Sequence, residues 1–391
     1  MNSIQQQLVN CLSAAIRQQE YLVPDGLNID ELMTEAKAHD VSGLVYKILK
    51  DQVPIEDYRR EIIFQSLTQS RYFKQSLQNI KSLQEVGIEP VLLKGSILKL
   101  LYPLAELRTM GDIDFLVRSE QLKSIEKCLS ELGYQKRDSH NEKHDVYDGQ
   151  GFQFEVHWSL VNESRQSGHE SFETDLWQHL QPIEIEGVTY QTLSDEDFLV
   201  HLLVHAAGHM KSSGFGIRQV CDITLWIEEK TNLDFHYIKD RLKELRILTF
   251  SQYLLETCQD LLYLEVPIEL KLEQVNQVTL NKLVEAIFKN GVHGHREKEN
   301  QFGHYFAYGQ HKQHIWLILL QCLFPSIRDL SRRYTYAHRY HWLLPLAWIH
   351  RFFHVLFHPA FNTQEKVTFL VKSPNIAHQK ATLLQSLELS E

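Results

Sequence analysis

The chain has 391 residues, 43% hydrophobic and 23% charged, with a formal net charge of −10. A chain this long predicts two or three domains. Its composition is that of a soluble globular protein. The acidic balance argues against general affinity for nucleic acid, whose phosphates reward many Lys and Arg contacts, though it leaves room for a local basic surface.

Five widely spaced cysteines, Cys11, Cys128, Cys221, Cys258 and Cys322, contain no C-x-x-C pair. They predict reduced thiols rather than a disulfide framework or a zinc site. The N-terminal residues lack a basic segment ahead of an apolar core, so we expect no signal peptide and a cytoplasmic protein.

From residue 1 to about 86 the apolar residues recur at helical spacing, as in Ile62, Ile63, Leu67, Leu77 and Ile80. The pattern then changes. Pro90 to Leu93 reads as a short strand ended by a Gly95-Ser96 turn, and Ile97 to Tyr102 as a short helix stopped by Pro103. Asp112 to Val117 reads as a second buried strand, and Ser119 to Leu132 as a helix that Gly133 ends. His144 to Asp148 and Phe152 to Trp158 flank Gly149-Gln150-Gly151 as a hairpin, and a further strand pair is expected around Glu186-Gly187. Ser194, followed by Asp195, Glu196 and Asp197, has the form of a helix N-cap. Helices then follow over Phe198 to Met210, Val220 to Glu229, Tyr237 to Leu248 and Ser251 to Leu262.

The expected class is therefore α+β, in three regions. A helical N-terminal region spans 1–86, a mixed-sheet α/β domain 87–190, and a helical C-terminal region 191–391, the last being the expected acceptor-binding part.

Alternation on a strand points Asp112 and Asp114 to one face and Ile113 and Phe115 to the other. Two carboxylates about 4 Å apart repel by roughly 4 kcal/mol at an effective dielectric near 20, so the pair calls for a cation. Mg²⁺, which favours carboxylates together with substrate phosphates, is the first choice. Gly95-Ser96 lies between a strand and a helix, where backbone N–H groups bind phosphate. A third acid, Glu155, shares a strand face with Gln153 and His157. Three acids and a phosphate-binding turn are the parts of metal-dependent nucleotidyl transfer.

This order of G-S, apolar-flanked D-x-D and a later strand carboxylate resembles the DNA polymerase β-like nucleotidyltransferase superfamily. Leu93-Lys94-Gly95, Tyr102-Pro103, Arg108 and Gly111 to Val117 resemble, more narrowly, a bacterial family of uncharacterised nucleotidyltransferases. That likeness extends to Glu155-Val156-His157 and to the region of His205, Arg218 and Asp222. The gap from Ser96 to Asp112 is a little longer than the superfamily's usual one, and Lys94 stands where an apolar residue is commoner; both departures bear on substrate more than on fold. The resemblance implies that Asp112 and Asp114 ligate Mg²⁺, as one or two ions, with Glu155 on the ion nearer the acceptor. It implies further that Gly95 and Ser96 hold the β and γ phosphates of an NTP. Lys94 and Arg108 are candidates for further phosphate contacts on charge and nearness in sequence, against a plain surface role for each.

His201, His205 and His209 form one stripe on a helix. It reads as a zinc pair lacking its further ligand, as a face turned to the cleft with His157, or as ordinary packed histidines. The turn from Lys211 to Arg218 carries two cations, of which Arg218 better suits phosphate or carboxylate. Asp222 is expected to pair with Arg218 one turn away, or else to act as a general base. Ten of the 21 histidines lie between 293 and 358, and the segment 331–359 holds four arginines and no acid. Its apolar run from Trp342 to Phe357 is too short and polar to span a bilayer; it reads as a buried helix, with a membrane or partner contact as the alternative.

The expected function is transfer of an NMP from an NTP to an acceptor hydroxyl, releasing pyrophosphate, with the acceptor (small molecule, RNA or protein) undefined by any motif. The alternative is a non-catalytic nucleotide-binding or scaffolding protein of the same fold, which the intact acid triad disfavours. A kinase-like enzyme lacks its G-x-x-x-x-G-K-[ST] or H-R-D signature.

Overall fold

The computed structural model describes residues 1–137, 143–161, 169–291, 324–327, 330, 334–356 and 378–390. Four N-terminal helices come first: α1 (Ser3–Arg17), α2 (Ile29–Ala38), α3 (Ser42–Leu49) and the 30-residue α4 (Glu56–Glu85). The sheet is built from β1 (Val91–Leu92), β2 (Asp112–Leu116), β3 (Gln135–Lys136), β4 (His144–Gly149), β5 (Phe152–His157), β6 (Gln181–Ile185) and β7 (Val188–Thr192). Short α5 (Lys94–Leu98), α6 (Leu122–Glu131) and α7 (His169–Leu176) lie between them. There follow α8 (Asp195–Lys211), α9 (Ile217–Glu229), α10 (Phe235–Glu244), α11 (Leu248–Leu262) and α12 (Gln277–Asn290), then α13 (Thr335–Arg339) and α14 (Leu344–Leu356). The architecture is α+β around a mixed sheet of order β3-β4-β5-β2-β1-β7-β6, as the sequence predicts.

Local chemistry explains the turns. β4 and β5 are joined by Gln150 and Gly151, at φ of +52° and +91°, which matches the twist of a two-residue hairpin turn with two left-handed residues. Glu186 and Gly187 do the same between β6 and β7. Ser194 caps α8 by accepting a hydrogen bond from the Asp197 N–H, with acids in the first turn. One expectation fails in detail: Gly95 and Ser96 lie inside α5 and not in a turn ahead of it. The bend falls one residue earlier, at Lys94, whose φ of +33° turns the chain from β1 into the helix.

The two faces of the sheet differ. Phe115, Phe152 and Phe154 point to the face covered by α4 and α6, where Tyr134 packs 5.0 Å from Phe154 and receives a hydrogen bond from Asn79 of α4. The opposite face carries the acids and meets α8 and α9. A single cluster of buried hydrophobic side chains runs from Leu8 to Phe288 and takes in Leu383, Leu387 and Leu389 of the last segment. The cysteines among the described residues, Cys11, Cys128, Cys221 and Cys258, are free and buried. No helix among the described residues is long and apolar enough to cross a membrane. Most of the histidine-rich stretch, and both ends of 331–359, lie outside the described residues. Within the remainder Ala337 and Ala347 are buried, whereas Trp342, Leu346 and Ile349 are exposed, so the expected burial of that helix holds for one face only.

Lys99, just after α5, is 1% exposed, with its ammonium 4.1 Å above the Phe73 ring and no hydrogen-bond partner. Burial, then the Arg108 charge, pushes it down to about 8. A lysine whose pKa is lower folded than unfolded costs stability in full below that value, and the cost fades as pH rises toward 10.5. Lys99→Met is expected to stabilise the protein at pH 7 by about 1–3 kcal/mol, after allowing for the lost cation–π contact. Urea unfolding should show that gain shrinking by pH 10; a less stable variant at pH 7 would mean that the contact with Phe73 outweighs desolvation.

Candidate active site

β2 and β5 run parallel, with Asp112 opposite Gln153 and Asp114 opposite Glu155. Side chains alternate on strands, so Asp112, Asp114, Glu155 and His157 share one face. Antiparallel β4 adds His144 directly opposite His157. The carboxylate oxygens of Asp112, Asp114 and Glu155 converge within 4.8 Å of one another. They open on a cavity of about 470 Å³ whose wall also includes Lys94, Gly95, Lys143, His205, His209 and Arg218.

The buried charge is balanced from within. Lys94 Nζ lies 2.6 Å from Asp114 Oδ1, and His157 Nε2 lies 2.9 Å from the same oxygen. Burial alone would raise the Asp114 carboxyl, but Lys94 and then His157 outweigh it and hold it well below the usual carboxylate range. Burial likewise opposes the Lys94 charge, and Asp114, Asp112 and Glu155 overcome it, raising its pKa. For Asp112, burial, followed by repulsion from Asp114, outweighs the Lys94 charge and pushes it up to about 6. Glu155 is lowered, because its hydrogen bond with His157 and the Lys94 charge offset burial. Glu155 keeps 22% of its side chain exposed against 4% for Asp114, so it is the carboxylate nearer solvent.

The histidine stripe of α8 borders this centre. His205 Nε2 is 3.1 Å from Lys94 Nζ and 3.1 Å from His209 Nε2. Burial, then the Lys94 charge, lowers His205 well below its ordinary value and His209 to about 4, so both are neutral at pH 7. His201 lies deeper, 2% exposed, with neither ring nitrogen hydrogen-bonded. Among the described residues the three histidines form no metal-sized cluster with a further ligand.

Several expected contacts are redistributed. Asp222 does not pair with Arg218. It receives Arg108 Nε at 2.9 Å and Nη2 at 2.8 Å, with the Tyr102 hydroxyl at 2.8 Å. Arg218 instead reaches Asp40 at 3.2 Å and the Thr109 hydroxyl at 2.9 Å, leaving its buried Nε without a hydrogen bond. The two residues are spaced one turn apart on α9, but in the loop before β2 Thr109 takes Arg218 and Arg108 takes Asp222. Arg108 is thus a buried structural cation rather than a surface arginine, and Asp222 is held as its counter-ion. Ser96 sits behind the cavity wall: its N–H is spent on Leu93 O at 3.2 Å, and its buried hydroxyl has no partner. Gly95 is in the wall, and a Cβ there would meet Met110 Sδ at 2.8 Å and Arg108 Nη1 at 3.0 Å.

Gln69 of α4 was given no role by sequence pattern. Its side chain receives the Met110 N–H at 2.8 Å and donates to Met110 O at 3.0 Å, pinning the chain two residues before Asp112. Nothing local in a long amphipathic helix marks such a glutamine. His144 is different, since the two-residue turn between β4 and β5 fixes 149 against 152 and hence 144 against 157.

Two stability measurements test this description. Asp222→Asn leaves Arg108 buried beside a neutral partner and is expected to cost about 3–5 kcal/mol, whereas Arg108→Met with Asp222→Leu should lose far less. For Asp112, a folded pKa near 6 against 3.8 means that the metal-free protein loses stability as pH rises between those values. Asp112→Asn should therefore stabilise the metal-free protein at pH 7.5 by about 2 kcal/mol and bring little gain at pH 4. A variant no more stable than wild type at pH 7.5 would contradict that environment.

No curated protein matches this chain. The solution structure of the antibiotic-resistance factor ANT(2″)-Ia is similar to 47% of this chain and 94% of its own, at 11% identity and a TM-score of 0.34. The family described as "Uncharacterised nucleotidyltransferase" matches residues 25–263, a span that contains every residue lining the cavity, from Lys94 to Ile223. With more than half of its residues in that match and its acids gathered on β2 and β5, the chain belongs to the uncharacterised nucleotidyltransferase family and is an enzyme of nucleotidyl transfer.

Proposed function

We propose that this enzyme transfers an NMP from an NTP to an acceptor hydroxyl with release of pyrophosphate, using Mg²⁺ held by Asp112, Asp114 and Glu155. The observation that carries the reading is the convergence of three carboxylates from adjacent strands at the floor of one cavity. An all-oxygen donor set of this kind suits Mg²⁺, as one or two ions. When bound, the metal neutralises charge on the triphosphate and on the attacking oxygen.

The chain's own residues divide the remaining work. Lys94, whose ammonium touches Asp114 and faces His205, is placed to exchange a carboxylate for a substrate phosphate as the nucleotide enters. Gly95 lets the backbone approach that phosphate, since a side chain there would press on Met110 and Arg108. Arg218, with an unused buried Nε on the cavity wall, is the further phosphate or carboxylate contact. Ser96 acts at most through its hydroxyl. Arg108 and Asp222 act as positioning residues that hold the loop ahead of β2. Glu155, more exposed than Asp114, faces the acceptor side, and neutral His205 and His209 border the cleft. In-line attack then depends on both substrates being held in this one cleft.

The test is a calorimetric titration of each NTP with and without Mg²⁺, alongside transfer of label from α-³²P NTPs to small molecules, RNA or protein of a cell extract. Asp112→Asn with Asp114→Asn is expected to abolish both Mg²⁺-dependent binding and labelling. Labelling that survives in the double variant would remove these acids from catalysis.

A further inference from the structure

Beside the three carboxylates, the same sheet face carries a second donor set of different chemistry. His144 and His157 stand opposite each other on β4 and β5, and Glu155 is two residues before His157 on the same face. Glu155 Oε2 lies 3.5 Å from His157 Nε2 and 3.9 Å from His144 Nε2. One ligand atom from each of the three residues falls within 4.8 Å of the others. A tetrahedral ion with bonds of about 2.0–2.1 Å has its ligand atoms roughly 3.3–3.5 Å apart, so these spacings need only small side-chain adjustments to close on one.

We propose that His144, His157 and Glu155 form a site for a borderline divalent transition metal of the Zn²⁺ type, chemically separate from the all-carboxylate set. Two imidazoles and one carboxylate are poor ligands for Mg²⁺ and good ones for Zn²⁺. The positions are fixed by a hairpin whose register a two-residue turn enforces, which is the rigidity a metal site needs. Asp114 Oδ1, 2.9 Å from His157 Nε2, supplies a further oxygen at the edge of the set. Because Glu155 belongs to both donor sets, an ion held by the histidines withdraws that carboxylate from the other set or bridges to it. Transition-metal occupancy thereby becomes a means of setting the enzyme's activity.

The inference goes beyond the nucleotide reading and is tested without nucleotide. Zn²⁺ is titrated calorimetrically into metal-free full-length protein at neutral pH, and the visible ligand-field spectrum of bound Co²⁺ is recorded in parallel. The expected result is a tight site that His144→Gln and His157→Gln each weaken by about tenfold or more, while His144→Cys, which restores a zinc ligand, keeps it. The four-coordinate Co²⁺ absorption should disappear in the same two glutamine variants. A tight site unchanged in His144→Gln overturns the proposal, as does one lost in His205→Gln instead, which would move the metal to the α8 stripe. Asp112→Asn separates the two readings: it should lose Mg²⁺-dependent NTP binding and keep the Zn²⁺ site, so either result can fail without the other.

Discussion

The structure turns on the buried charge of Asp114. Parallel pairing of β2 with β5 places this carboxylate beside Glu155 and two residues from Asp112, on a face where burial penalises every negative charge. Such a face is stable only if its charge is met, and the Lys94 ammonium at 2.6 Å and the His157 ring at 2.9 Å meet it. The left-handed φ of Lys94 is what turns the chain so that its ammonium falls on Asp114. A backbone conformation that costs about 1 kcal/mol or more for a non-glycine residue is maintained where the surrounding contacts compensate for it, as functional sites commonly do.

Around this centre the rest of the fold works as scaffolding from both sides. From the N-terminal helices, Gln69 grips Met110, and Asp40 meets Arg218. From the C-terminal helices, Asp222 closes on Arg108, and His205 meets Lys94. The loop between α5 and β2 is thus held by groups remote in sequence on each side, and one hydrophobic cluster joins these helices to the sheet. The acid face is consequently preorganised, because its geometry does not depend on a flexible loop finding its place.

The low positions of His205 and His209 follow from the same centre. Burial disfavours the charged form of both, and the nearby Lys94 charge disfavours it further. They remain neutral, with His205 Nε2 lying between Lys94 and His209. Of the α8 stripe, His205 and His209 line the cavity and His201 lies behind them, buried.

Much of this was legible in the chain. Alternation on Asp112–Leu116 and Phe152–His157 located the acids and their common face, since strand geometry has a period of two whatever surrounds it. Turn chemistry at Gln150-Gly151 and Glu186-Gly187, and the Ser194 cap, are equally local. What tertiary structure alone decided is the choice of charge partners. Arg218 and Asp222, spaced for an ion pair within α9, each bond instead to residues more than 100 positions away. Arg108, a candidate phosphate contact, pairs with Asp222, and Gln69 clamps Met110. Sequence periodicity specifies which face a side chain occupies; which group meets it there is set by how helices distant in the chain pack against that face, and no local pattern carries that information.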